Sequence, residues 1–118
     1  MSDPTVFQRI AAREIPAEIL YEDDEVIAFP DIAPKAPVHL LVVPKSARYA
    51  SVTELAAADP ALLARMVAVA QSLADARCGG QFRLVFNTGE RAGQTVLHVH
   101  AHVLGSDSER GLTEGDLE

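Results

Sequence analysis

Three imidazoles alternate with small apolar residues in His98-Val99-His100-Ala101-His102, and Val103-Leu104 extend the apolar run. Successive side chains of a β-strand point to opposite faces, so this spacing sets all three rings on one face and sends Val99, Ala101 and Val103 toward a core. A helix would scatter them. Alternate strand residues stand about 7 Å apart, too far for a compact chelate but suited to a row of ring nitrogens along a bound phosphate. Imidazole, with an ordinary pKa of about 6.5, can act as nucleophile, acid or base near neutrality. The chain has only four histidines, and three in phase on one face weigh against three unrelated structural residues.

A metal is the rival reading, because His-x-His on a strand can hold zinc or copper. Partners for it are scarce. Cys78 is the single cysteine and lies well upstream, and neither a Cys-x-x-Cys nor a Glu-x-x-His pattern occurs. Zinc is therefore the weaker alternative, and no metal or other cofactor is required. Phosphate is favoured by the stretch Asn87-Thr88-Gly89-Glu90-Arg91-Ala92-Gly93-Gln94-Thr95, which precedes the histidines directly. Its glycines allow close backbone approach and successive N–H groups can form an anion nest, with Asn87, Gln94 and Thr95 as neutral donors. Alone, such a loop is an ordinary hairpin connection; its adjacency to the histidines gives it meaning.

These groups need a scaffold, and the chain predicts one. Pro4 opens a helix over 5–14 with Val6, Phe7, Ile10 and Ala11 as its apolar stripe, ended before Pro16. Residues 17–22 and 25–31 read as a hairpin turning at Asp23-Asp24. Residues 38–43 form a more buried strand closed by Pro44. A connection holding Tyr49 and Ser51 leads to Asp59-Pro60, the N-cap and first position of a helix whose Leu62, Leu63, Met66, Val69, Ala70 and Leu73 recur at helical spacing up to Gly79. Residues 82–87 and 96–104 supply the last two strands. The fold class is α+β, a five-stranded antiparallel sheet with two helices.

Composition bounds the possibilities. At 118 residues and 48% hydrophobic content, residues 1–104 make one domain with material for one core, and the acidic stretch 105–118 is expected to be a poorly ordered tail. One cysteine permits no internal disulfide and fits a reducing compartment. Met1-Ser2-Asp3-Pro4 does not resemble a signal peptide and no apolar run is long enough for a bilayer, so the cytoplasm is the expected location. The net charge of −7 disfavours long nucleic acids and anionic membranes as partners, while a few placed donors can still hold a small nucleotide.

The run His98 to Leu104 is similar to the His-φ-His-φ-His-φ-φ motif, with φ apolar, of the histidine triad superfamily of nucleotide hydrolases and transferases. Ile19-Leu20-Tyr21-Glu22-Asp23-Asp24, the stretch Ile27-Ala28-Phe29-Pro30-Asp31-Ile32-Ala33-Pro34, Ala36-Pro37-Val38-His39, Val42-Val43-Pro44-Lys45 and Gly93-Gln94-Thr95-Val96 resemble its Hint branch, so that the likeness covers about residues 5 to 105. The resemblance implies a homodimer whose two sheets join into one, and a purine nucleoside monophosphate or phosphoramidate site in each subunit. It implies that Phe7, Ile10, Phe29, Ile32 and Leu41 wall the base and ribose, that Asp31 accepts the ribose hydroxyls, that Asn87, the Gly93 amide and Thr95 hold the phosphate oxygens, and that Gln94, Val96, His100 and His102 also belong to the nucleotide site. His100 would be the nucleophile, His102 with Thr95 beside it would protonate the leaving group, and His98 and His39 would fix tautomers. The implied reaction is cleavage of the P–N bond of adenosine 5′-phosphoramidates, with aminoacyl-adenylates as a further substrate class. Alternatives are a dinucleoside polyphosphate hydrolase of the fragile-histidine type and a nucleotide-binding interaction module with incidental turnover. Relatives often end in an aromatic-bearing segment and carry a polar residue at the place of Pro30; this chain does neither.

Overall fold

Thr5 rather than Pro4 starts the first helix. In the computed structural model, which describes residues 3–108 and 111–112, Thr5 is extended and its hydroxyl accepts the Gln8 N–H at 3.2 Å, while Gln8 Oε1 accepts the Thr5 N–H at 2.9 Å. That reciprocal box satisfies two donors at the helix start. Helix α1 covers Val6–Ala11, shorter than the predicted 5–14 because Arg13 turns left-handed at φ 65° and diverts the chain.

Strands β1 (Tyr21–Glu22), β2 (Val26–Pro30), β3 (Val38–Pro44), β4 (Phe82–Val85) and β5 (Ala101–Gly105) form one antiparallel sheet in the order β1-β2-β3-β5-β4. Asp23 makes the first turn, its carboxylate accepting the Glu25 and Val26 N–H groups at 2.8 Å. The alternation of side chains sorts the sheet into two faces. Val26, Ala28, Leu40, Val42, Ala101 and Val103 pack with Val99 against the long helix α3 (Pro60–Cys78), through its Leu62, Met66, Val69, Ala70 and Leu73. Ile27, Phe29, Leu41 and Val43 face the other way, onto Phe7 and Ile10 of α1. Every residue of β3 is buried because both of its faces are covered.

Among the described residues there are three helices, not the two expected, together with a 3₁₀ turn at Glu90–Ala92. The added helix α2 (Val52–Ala58) lies in what reads as a connection and is capped by Ser51, whose hydroxyl accepts the Glu54 N–H. Helix α3 begins at Pro60 with Asp59 as its cap and ends at left-handed Gly79, as the sequence indicates. The outer strands are shorter than predicted: β1 lacks residues 17–20 and β4 lacks 86–87. Strand β5 starts at Ala101 rather than 96, because its ladder with β3 opens with Ala101 opposite Val42. Before that point the Val99 N–H turns to the Tyr49 carbonyl at 2.9 Å. Among the described residues no helix is long and apolar enough to cross a membrane. The expected poorly ordered tail falls mostly outside the described residues.

Candidate functional site

Only His102 of the histidine run sits in the β5 ladder, opposite Leu41 and on the face that α1 covers. His98 and His100 belong to the lead-in, yet the chain keeps its alternation through them, with Val99 turned into the opposite core. The rings therefore still share one side. The Phe7 ring meets His98 and His100 edge-on at 5.4 and 4.9 Å between centroids, and His100 meets His102 at 5.1 Å. Strand β3 brings in His39, whose ring lies 5.2 Å from that of His102.

Hydrogen-bond partners assign the protons, because a carbonyl can only accept and a backbone N–H can only donate. His98 Nε2–H donates to the Pro44 carbonyl at 2.6 Å, so Nδ1 carries the lone pair and accepts the Thr5 hydroxyl proton at 2.7 Å. His100 Nδ1–H donates to the His98 carbonyl at 2.8 Å, which leaves the lone pair of a neutral His100 on Nε2. On the other ring pair, the Lys35 N–H donates to His39 Nδ1 at 2.9 Å. Nε2 of His39 must then hold the proton and donate it to His102 Nδ1 at 2.9 Å, placing the His102 proton on Nε2. The two inner rings thus present complementary atoms, a lone pair on His100 and an N–H on His102.

Burial favours the neutral form of His98, His39 and His102. It lowers the pKa of fully buried His98 against the opposing Pro44 hydrogen bond, and that of His39 against the attraction of Asp31. His102 falls to about 4, first through burial, then through the adjacent His100 and His39 rings, with Asp31 opposing. Asp31 Oδ2 stands 3.4 Å from His39 Nε2 and 4.0 Å from His102 Nδ1, while Oδ1 caps its own turn at the Ala33 N–H.

Ligand atoms of Asp31, His39 and His102 lie within 4.8 Å of one another, the reach of a cation site. The donor set fits a proton better than a metal. A metal on His39 Nε2 would drive the ring proton to Nδ1, against the Lys35 N–H that points there.

The loop before the histidines is built by its own groups. Gln94 is buried at 3% exposure, its amide donating to the Ala50 and Val96 carbonyls and its Oε1 accepting the Gly89 N–H at 2.8 Å. Its side chain is thus a staple for the loop, spent on backbone rather than held out to a ligand. The Gly93 N–H closes the 3₁₀ turn on the Glu90 carbonyl, and Gly93 itself is left-handed at φ 93°. Asn87 donates to the Ala92 carbonyl at 2.9 Å, and Thr95 is exposed. Phe7, Ile10, Phe29 and Leu41 form one buried cluster with Val96 against it, whereas Ile32 stands 99% exposed beyond them. Thr5 and the backbone groups of Lys35 and Pro44 are the residues that sequence reasoning missed. Thr5-x-x-Gln8 is a capping signature, and it was the available signal. A hollow of about 860 Å³ between the end of α3 and β4, lined by Arg77, Cys78, Phe82, Arg83 and Ser106 among others, includes none of the histidines.

The family model described as scavenger mRNA decapping enzyme C-term binding matches residues 4–115. An uncharacterized HIT-like protein of Synechocystis is 48% identical over 109 residues, covering 89% of this chain and 92% of the relative. The purine nucleoside phosphoramidase of Escherichia coli K12 is 40% identical over 107 residues, 89% of each chain. A HIT family hydrolase structure from Clostridium thermocellum superposes with a TM-score of 0.84 at 38% identity, covering 97% of this chain and 99% of that one.

Proposed function

The chain belongs to the histidine triad superfamily as a nucleotide-binding hydrolase, and from that premise we propose that it cleaves the P–N bond of purine nucleoside 5′-phosphoramidates through a nucleotidyl-histidine intermediate. The observation that carries this reading is the Nδ1–H of His100 bonded to the His98 carbonyl, because it leaves Nε2 as a neutral nucleophile toward an anionic phosphorus. The similarity to the Escherichia coli phosphoramidase supports the choice of substrate class.

Neutral His102, with a pKa of about 4, is poorly protonated at pH 7, so the arriving anion has to load it. A phosphate beside the ring favours the charged form, and the His39–His102 pair takes up one proton as substrate binds. Nε2 of His100 then attacks phosphorus and the P–N bond breaks; the departing nitrogen keeps the bonding pair and receives a proton from His102 Nε2. The pair returns to neutral, and the His98 carbonyl steadies the charge on the nucleotidylated imidazole. In the second step water attacks the same phosphorus while the pair accepts its proton. The bond to His100 breaks, and a nucleoside monophosphate leaves. Asn87 and Thr95 serve the phosphate oxygens in this reading, with the cluster of Phe7, Ile10, Phe29, Leu41 and Val96 and the exposed Ile32 serving base and ribose.

The outer edge of β4 pairs with no strand among the described residues, and its four residues support a homodimer in which two sheets continue across that edge. Sedimentation at twice the mass of one chain is the expected result, and a monomer would refute it.

The reaction is tested with adenosine 5′-phosphoramidates and the variant His100→Ala. Turnover should vanish while monophosphate binding persists, because the pocket binds and one nitrogen attacks. Turnover retained by the variant would sink the mechanism, and a diadenosine polyphosphate cleaved faster than any phosphoramidate would sink the substrate class.

A further inference from the structure

His98 has no exposed surface, so water cannot choose its tautomer; protein groups must. Its Nε2–H is committed to the Pro44 carbonyl at 2.6 Å, and a neutral ring then needs a donor at Nδ1. The group in that place is the Thr5 hydroxyl at 2.7 Å, which reaches across 93 positions of sequence. One oxygen does two jobs. As the N-cap of α1 it accepts the Gln8 N–H at 3.2 Å, and that bond occupies a lone pair and leaves the hydroxyl proton for His98. The His98 carbonyl, in turn, is the acceptor that holds the His100 ring with its Nδ1–H inward at 2.8 Å.

We propose that Thr5 is a positioning residue for the nucleophile: its hydroxyl proton locks the His98 ring in the Nε2–H tautomer and thereby holds the His98 carbonyl on His100 Nδ1. Phe7, two residues further on, packs on the His98 and His100 rings, so α1 clamps the triad from outside the sheet. The inference rests on the proposed reaction only for its kinetic consequence. The tautomer is a property of the free protein. Without the hydroxyl proton, Nδ1 is left unpartnered in a dry site, and the ring gains reason to reprotonate or turn, dragging the carbonyl that orients His100.

The decisive variant keeps the cap and removes the donor. Asp is a strong N-cap but, ionised, only accepts hydrogen bonds, so Thr5→Asp should fold and still reverse the demand at His98 Nδ1. Thr5→Ser keeps both functions. Nitrogen-15 spectra of histidine-labelled protein should show His98 bare at Nδ1 in the native chain and in Thr5→Ser, and protonated at Nδ1 in Thr5→Asp. With a phosphoramidate substrate, kcat of Thr5→Asp should fall by about tenfold or more, the scale of lost histidine-orienting partners, while KM changes little and Thr5→Ser restores the rate. A native His98 tautomer in Thr5→Asp, an unchanged kcat, or failure of Thr5→Ser to restore it would each overturn the proposal. A native chain with the expected tautomer and no phosphoramidate turnover would count against the reaction class instead.

Discussion

Acid should unfold this protein through its histidines before its carboxylates, and His102 gives the clearest measure. The unfolded chain protonates this ring at its ordinary 6.5 while the folded chain does so only at about 4. Between those values the unfolded state binds more protons, so stability falls as pH falls through that window. One pKa unit corresponds to about 1.36 kcal/mol; the loss from this ring is therefore about 2 kcal/mol by pH 5 and about 3 kcal/mol once the pH reaches 4. The ring keeps one-fifth of its side-chain surface exposed, which makes these figures upper ones. They remain large against a typical total of about 5–15 kcal/mol. His39 and His98 are lowered by burial as well and contribute with the same sign.

The window from pH 7 to 5 isolates the effect. Glu22 and Asp23, whose ion pairs and hydrogen bonds lower their pKa values, stay ionised throughout it. Urea unfolding followed by far-ultraviolet circular dichroism suits a chain with two tyrosines and no tryptophan. The native protein should lose stability steadily from pH 7 to 5, and His102→Gln, whose amide oxygen can still accept the His39 proton, should lose about 2 kcal/mol less over the same span. Equal slopes for the two proteins, or a native chain more stable at pH 5 than at pH 7, would refute the reasoning, whatever the variant does to absolute stability.

Binding of a nucleoside monophosphate at pH 6 should draw protons from solution, approaching one per site, because an anion beside the depressed His102 raises its pKa; calorimetry in buffers of different ionisation enthalpy reads this, and zero uptake or net release contradicts it. Gln94→Ala should cost about 3 kcal/mol and speed exchange of the Gly89 amide, since three backbone groups lose the staple that satisfies them; an unchanged melting temperature would show that the loop holds itself.

What was readable in the chain was local. The two-residue period of His98 to His102 survives even where the strand does not, because it is a property of extended backbone. Asp59-Pro60 and Gly79 mark the ends of α3 by their own side-chain chemistry. Helix α2 was missed because Ser51-x-x-Glu54 is followed by alanines, with Leu55 as its one buried residue, so the amphipathic stripe that announces a helix is absent. The site divides in the same way. The histidines declare their chemistry by type, and the partners that set the protons of His100 and His39 lie two and four residues away, but Thr5 and His39 reach His98 and His102 from 93 and 63 positions away, and no spacing rule reaches that far. Gln94 shows the converse: its amide reads as a ligand donor, and only tertiary burial turns it inward.

The lead-in to β5 is held without a ladder. Along an antiparallel strand the backbone groups turn alternately to its two neighbours. The Asp31 N–H donates to the His39 carbonyl and the Lys45 N–H to the Glu25 carbonyl, so the odd-numbered residues of β3 bond toward β2, and in the continued register His98, opposite Lys45, turns its carbonyl away from β3. The ladder itself opens at Ala101, opposite Val42. The unpaired stretch is held from three sides, by Tyr49 on the Val99 N–H, by Pro44 on the His98 ring and by Thr5 on its other nitrogen. That leaves the His98 carbonyl free to take the His100 proton. The lone pair offered to phosphorus thus depends on how this unpaired stretch is pinned, and the groups that pin it come from α1, from the end of β3 and from the connection after it.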